Sequence, residues 1–143
     1  MSQLKERNSP AENIPPFINE NGLNILLVED NKANQFVIRG LLKKYNFQID
    51  ISNNGLEALN ALEENKYDIV LMDIQMPVMD GIEATKQIRD GLKGKTSPQV
   101  PIIAITAHAR DEDHERGIEA GMNDYVTKPV NRARLLNAIF KQF

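Results

Sequence analysis

The sequence predicts an α/β domain of five successive strand–helix units, (βα)5, with helices covering both faces of a parallel sheet. Two observations carry this reading. From Leu23 onward, short apolar runs alternate regularly with longer amphipathic stretches, which is the pattern of strands joined by crossover helices. Three of the five runs are nearly all apolar rather than alternating, as strands buried on both faces of a parallel sheet must be.

Residues 1–22 carry three prolines, several Asn and Glu and no sustained period, so they read as a tail or linker. Residues 23–143 then form the domain. Strands are expected at 24–28, 47–51, 68–72, 101–105 and 125–127. Between and after them the 3.6-residue pattern places helices at 31–45, 54–65, 81–92, 109–120 and 131–142. Asn31, Asn54 and Asp80 stand where they can cap the first three helices, and Asn131 follows Pro129 at the start of the fifth. In the first helix Val37, Leu41 and Tyr45, with Ile38 beside them, are expected to form the inward stripe. Residues 91–101 read as a longer polar loop.

Composition excludes more than it asserts. The 143 residues hold 17 Lys+Arg against 20 Asp+Glu, a formal charge of -3, so no basic excess offers itself to nucleic acid or an anionic membrane. Cysteine is absent, which removes disulfide scaffolds, thiol nucleophiles and cysteine-bound zinc and fits a reducing, cytoplasmic compartment. The two histidines, His108 and His114, are too few for a three-histidine metal site. Any metal should be a hard cation held by oxygen. The longest apolar runs are four residues, against roughly 20 needed to span a bilayer. The N-terminus has no hydrophobic stretch of the kind a secretory signal requires.

Right-handed crossovers bring all five strand ends to one edge, and open sheets of this kind bind ligands there. Glu29 and Asp30 follow the first strand, Asp73 the third, Thr106 the fourth and Lys128 the fifth; the second ends on Ser52 and Asn53. Three carboxylates, a hydroxyl and an ammonium should therefore converge. Neighbouring carboxylates repel and raise each other's pKa unless a cation intervenes. Mg²⁺ suits such a set, because it takes one or two carboxylates and leaves positions for water and phosphoryl oxygens. A carboxylate beside Mg²⁺ and a lysine is a competent nucleophile toward phosphorus, and Thr106 could hydrogen-bond the product.

The stretches LLVEDNKANQ, DIVLMDIQMPVMDG, PIIAITAHA and AGMNDYVTKP, in this order and spacing, resemble the response-regulator receiver domains of two-component signalling from Leu23 to the C-terminus. The resemblance implies a flavodoxin-like sheet of order 2-1-3-4-5. It implies that Asp73 accepts a phosphoryl group from a phosphohistidine donor. Asp30, Asp73 and the Gln75 backbone carbonyl would bind Mg²⁺, with Glu29 assisting, often through water. Thr106 and Lys128 would contact the phosphoryl group, Tyr125 would reposition when Thr106 moves inward, and Gln75 and His108 would border the group and tune its loss to water. A cis bond between Lys128 and Pro129 is also implied. Such a domain catalyses its own phosphorylation and dephosphorylation without being a conventional multiple-turnover enzyme.

The texts VEDNKANQ and MPVMDGIEA are most similar to receivers of hybrid histidine kinases, which pass phosphate to a phosphotransfer histidine. The length leaves room for a receiver and a tail and none for an effector, so a free regulator or a segment of such a kinase, itself membrane-bound or not, is expected. The partners would be a histidine kinase or a phosphotransfer domain, with no direct nucleic-acid or membrane contact. Phe36 with Ala33 is a candidate docking patch for that partner.

Gly94-Lys95-Thr96 ends like a P-loop, but Arg89 occupies the position of the first glycine and Ser97-Pro98 follows where a helix should begin. An aspartyl phosphatase would show an acid two positions after its nucleophile, where this chain has Gln75. A module whose acidic pocket serves interaction without phosphate is the principal alternative. His114, in a charged helix, is expected to be solvated, and Met72, Met76 and Met79 to pack in the core or a loop.

Overall fold

The computed structural model describes residues 14–107 and 112–143. Five strands, β1 (Leu23–Val28), β2 (Phe47–Ser52), β3 (Ile69–Asp73), β4 (Ile102–Thr106) and β5 (Asp124–Thr127), form one sheet of order β2-β1-β3-β4-β5. Every pairing is parallel. This is the doubly wound, flavodoxin-like order expected, with the chain reversing direction across the sheet between β1 and β3.

The helices are α1 (Pro16–Asn21), α2 (Lys32–Leu42), α3 (Gly55–Glu64), α4 (Gly81–Gly91), α5 (Glu112–Ala120) and α6 (Arg132–Phe140). Four of them start as the sequence signals predict. The side chains of Asn31, Asn54, Asp80 and Asn131 accept hydrogen bonds from the backbone N–H of Asn34, Glu57, Glu83 and Arg134, each satisfying an otherwise orphaned donor of the first turn.

Strand periodicity sorts the core into two layers. Leu26, Val28, Val70, Met72, Ile102 and Ala104 face α3, α4 and α5, while Ile25, Leu27, Leu71, Ile103, Ile105 and Val126 face α1, α2 and α6. β1, β3 and β4 are buried almost throughout, whereas the edge strand β2 alternates. Central strands are apolar on both sides because both sides are covered.

Two expectations about packing change. Pro16–Asn21, inside the stretch expected to be tail, is helical, with Ile18 only 1% exposed in the second core layer and proline at its start. Ile14, Phe17 and Ile18, set among prolines and polar residues, are too short a stretch to show a sustained period, which is why the pattern concealed the helix. In α2 the buried residues are Gln35, Ile38 and Leu42, and Val37 is 49% exposed. Leu41 and Tyr45 do pack partly on the core, so the stripe is rotated by about one residue, roughly 100° of helix. Gln35 causes the rotation: its Nε2 donates to the Glu29 carbonyl and to Asn53 Oδ1, 3.0 Å away. A polar side chain so satisfied can be buried.

Candidate functional site at the carboxyl edge of the sheet

Four of the five strands, all but β2, deliver residues at or just past their carboxyl ends to one cleft of about 230 Å³: Glu29 and Asp30 after β1, Asp73 and Gln75 at and after the end of β3, Thr106 at the end of β4 and Lys128 after β5. Glu29 and Asp73 are buried, at 1% and 4% exposure, and Asp30 is open to solvent. One carboxylate oxygen from each of the three lies within 4.8 Å of the others. The Lys128 ammonium approaches from β5, 3.4 Å from Glu29 Oε1 and 3.4 Å from Asp73 Oδ1.

Backbone contacts hold these groups in place. Glu29 N–H donates to the Ser52 carbonyl and Ile74 N–H to that of Ile105, so the residues just past β1 and β3 remain tied to neighbouring strands. Lys128 N–H donates to the Thr106 carbonyl at 2.7 Å, and the Lys128–Pro129 bond is cis, as expected. Glu29 Oε2 accepts from Asn31 N–H at 3.1 Å, and Asp73 Oδ1 accepts from Gln75 N–H at 3.3 Å. Glu29 Oε1, by contrast, is buried with no hydrogen-bond donor; Lys128 offers it charge but not a well-aligned N–H.

Electrostatics follow from this crowding. Burial, and then the negative charge of Glu29, push the Asp73 carboxyl up from 3.8 to about 7, with Lys128 and the Gln75 N–H pulling the other way. A buried carboxylate pair with one ammonium is under-neutralised. The three converging carboxylates, with an orphaned oxygen on Glu29, form an all-oxygen donor set that fits a hard divalent cation such as Mg²⁺.

The sequence-expected residues Glu29, Asp30, Asp73, Gln75, Thr106 and Lys128 are thus together. His108 lies outside the described residues. Tyr125 is on β5 outside the cleft, partly buried against the first core layer. His114 differs from expectation: its ring packs against that of Tyr125, with centroids 3.9 Å apart and planes inclined by 47°. Met72 is core, and Met76 and Met79 pack against it.

The Gly94–Thr96 stretch is no phosphate loop. Thr96 is buried, its hydroxyl accepting from Tyr67 N–H and donating to the Asn65 carbonyl, while a Cβ at Gly94 would strike the Glu63 backbone.

Three contributors escaped sequence reasoning. Asn31 and Asn34 line the cleft; Asn31 reads in sequence only as a helix cap, and Asn34 carries no signal. Gly81 is the third: a Cβ there would collide with the carbonyl oxygen of Asp73 and press on Met72. The spacing of eight residues between Asp73 and Gly81 is visible in sequence, but the contact needs the folded loop.

A parallel doubly wound sheet that ends in an acid pocket with a buried carboxylate, a threonine and a lysine defines a phosphoacceptor-type signalling module. Residues 25–140 match the family described as the response regulator receiver domain. The chain belongs to that family, the receivers of two-component phosphorelay signalling. It is 45% identical over 123 residues to hybrid signal transduction histidine kinase I of Dictyostelium discoideum, covering 82% of this chain and 7% of the kinase. It is also 33% identical over 141 residues to sensor protein GacS of Pseudomonas syringae pv. syringae, covering 99% of this chain and 16% of that protein. The chain therefore spans a small part of these relatives' length. Among solved structures it resembles the receiver domain of sensor histidine kinase PA1611 from Pseudomonas aeruginosa PAO1, which holds a magnesium ion in its active-site cleft (42% identity, TM-score 0.73, 84% of this chain and 95% of that one). It also resembles the receiver of Saccharomyces cerevisiae Ssk1, solved with the phosphotransfer protein Ypd1 (39% identity, TM-score 0.70, 79% and 83%).

Proposed function

We propose that this domain, residues 23–143, is an aspartate stage of a histidine–aspartate phosphorelay, with Asp73 as the acceptor. The observation that carries the reading is the buried Asp73 carboxylate beside that of Glu29, with the Lys128 ammonium 3.4 Å from both. In the step proposed, an Asp73 oxygen forms the new bond to phosphorus as the phosphorus–nitrogen bond of a phosphohistidine breaks. The electron pair stays on the departing imidazole nitrogen, which takes up a proton.

Asp30, Asp73 and the Gln75 carbonyl would hold Mg²⁺, with Glu29 assisting through water. When bound, such a cation supplies charge neutralisation for the phosphoryl oxygens. Lys128 adds a fixed positive charge 3.4 Å from Asp73, and the Thr106 hydroxyl would donate to a phosphoryl oxygen. Thr106 moving toward that oxygen leaves space on its own sheet face for Tyr125, so phosphorylation is read outward on the α5–β5–α6 side. Gln75 and His108 would tune the loss of that group to water.

The phosphohistidine partner is a kinase or phosphotransfer domain that docks on the outer face of α2. Phe36 is 80% exposed beside Val37 at 49%. Ala33 and Gly40 share that face, and a Cβ at Gly40 would meet nothing within 4 Å. A glycine in a helix interior costs about 1 kcal/mol relative to alanine, and here it keeps the helix surface low for a partner helix. The complex of a similar receiver with a phosphotransfer protein supports this kind of partner. The relay operates in the cytoplasm, where histidine kinases meet ATP.

Transfer from a phosphotransfer domain labelled on histidine tests the reading. Label should move to this chain in Mg²⁺, be chased by excess unlabelled donor, and fail to appear in Asp73→Asn. Label retained on the donor with the unaltered chain would refute it.

A further inference from the structure

Tyr125 pairs with Ala104 across the β4–β5 ladder, and Thr106 lies two residues further along β4. The two side chains therefore leave the same face of the sheet as diagonal neighbours. That face is covered by α5. Its buried positions, Gly117 and Ala120, are in its C-terminal half, whereas Glu112, Glu115 and Arg116 in its first half are exposed. His114, in that first half, meets the sheet at Tyr125. Its half-buried ring lies on Tyr125, with centroids 3.9 Å apart and planes inclined by 47°.

We infer that His114 is a positioning residue for the Tyr125 switch: its ring holds Tyr125 against α5 and opposes the movement of that ring toward Thr106. The inference rests on the Thr106–Tyr125 coupling proposed above and adds what sets its balance. A contact biases a two-state equilibrium only by what it is worth in one state and not in the other. The His114–Tyr125 contact exists in the arrangement seen here, and a Tyr125 ring turned inward beside Thr106 must leave it. Removing His114 therefore favours the inward state, and with it every ligand that selects that state. Tilted ring pairs of this kind shift an equilibrium by about two- to tenfold.

The test uses the full chain with ¹³C-labelled tyrosine and beryllofluoride with Mg²⁺ as the phosphoryl mimic. The Tyr125 resonance is assigned by its loss in Tyr125→Phe. In the unaltered chain it should carry a ring-current shift that disappears as beryllofluoride binds. In His114→Ala the shift should be absent from the start, and beryllofluoride should bind about two- to tenfold more tightly. His114→Phe should restore both the shift and the weaker affinity. If beryllofluoride binds but Tyr125 does not respond in the unaltered chain, the Thr106–Tyr125 reading falls and this inference with it. If Tyr125 responds but His114→Ala leaves the affinity unchanged, the role of His114 alone is overturned.

Discussion

The Lys128 ammonium lies 3.4 Å from Asp73 Oδ1, although the two residues come from the ends of different strands with β4 between them. The same nitrogen is 3.4 Å from Glu29 Oε1. One cation thus serves two buried carboxylates, and the site's chemistry and its stability both turn on that imbalance.

Lys128→Ala should reduce the rate of phosphoryl transfer to Asp73 by about 10²–10³, the usual effect of removing one preorganised charge from a transition state. Lys128→Arg should not restore it, because a planar fork cannot replace a compact ammonium between two carboxylates. Single-turnover labelling at saturating Mg²⁺ measures both, and a change below threefold for Lys128→Ala would contradict the assignment.

Asp73 makes the metal-free fold sensitive to pH. Its native value of about 7 stands above the ordinary 3.8, so between these values the folded state binds a proton that the unfolded state has released. Stability then falls as pH rises from about 4 to 7, and Asp73→Asn should abolish this loss and gain about 1–3 kcal/mol at neutral pH. Urea unfolding in EDTA at several pH values checks the sign. Mg²⁺ at neutral pH should stabilise the unaltered chain, as any ligand of the native state does, and Asp73→Asn much less.

Gly81→Ala should destabilise the domain by about 2–3 kcal/mol, because its Cβ has no space beside the Asp73 carbonyl and Met72. It should also weaken Mg²⁺ binding, since the carbonyl it displaces belongs to Asp73, one of the three converging carboxylates. Gly40→Ala, whose Cβ points into open space, should instead stabilise α2 by about 0.5–1 kcal/mol. Paired denaturation curves distinguish the two glycines.

Phe36→Ala should raise the Michaelis constant for a phosphotransfer-domain donor by about tenfold, the scale of one aromatic anchor at an interface. It should leave labelling by a small phosphodonor unchanged, because Phe36 is not in the cleft. Equal loss with both donors would show damage to the fold rather than a docking role.

Legibility in the sequence followed the physics of each element. β1, β3 and β4 were readable because double burial demands unbroken apolar runs, and the helix starts because Asn31, Asn54, Asp80 and Asn131 have short acceptor side chains just where first-turn N–H groups need them. The acid cleft was readable because parallel topology gathers strand ends whatever their distance in sequence. What escaped depends on contacts between segments. Gln35 looked like a surface residue until its partners at Glu29 and Asn53 were in place, and without it Val37 and Ile38 were equivalent candidates for the buried stripe. Ile18 anchors α1 through one side chain, and His114 looked solvated until α5 laid it on Tyr125.

The central claim is that Asp73 is the nucleophile toward phosphorus, and intact-mass measurement after incubation with a small phosphodonor and Mg²⁺ tests it most directly. The account predicts one added phosphoryl group, lost on mild alkaline treatment as an acyl phosphate should be, absent in EDTA and absent in Asp73→Asn. An unmodified mass under all conditions, or undiminished modification of Asp73→Asn, would contradict it.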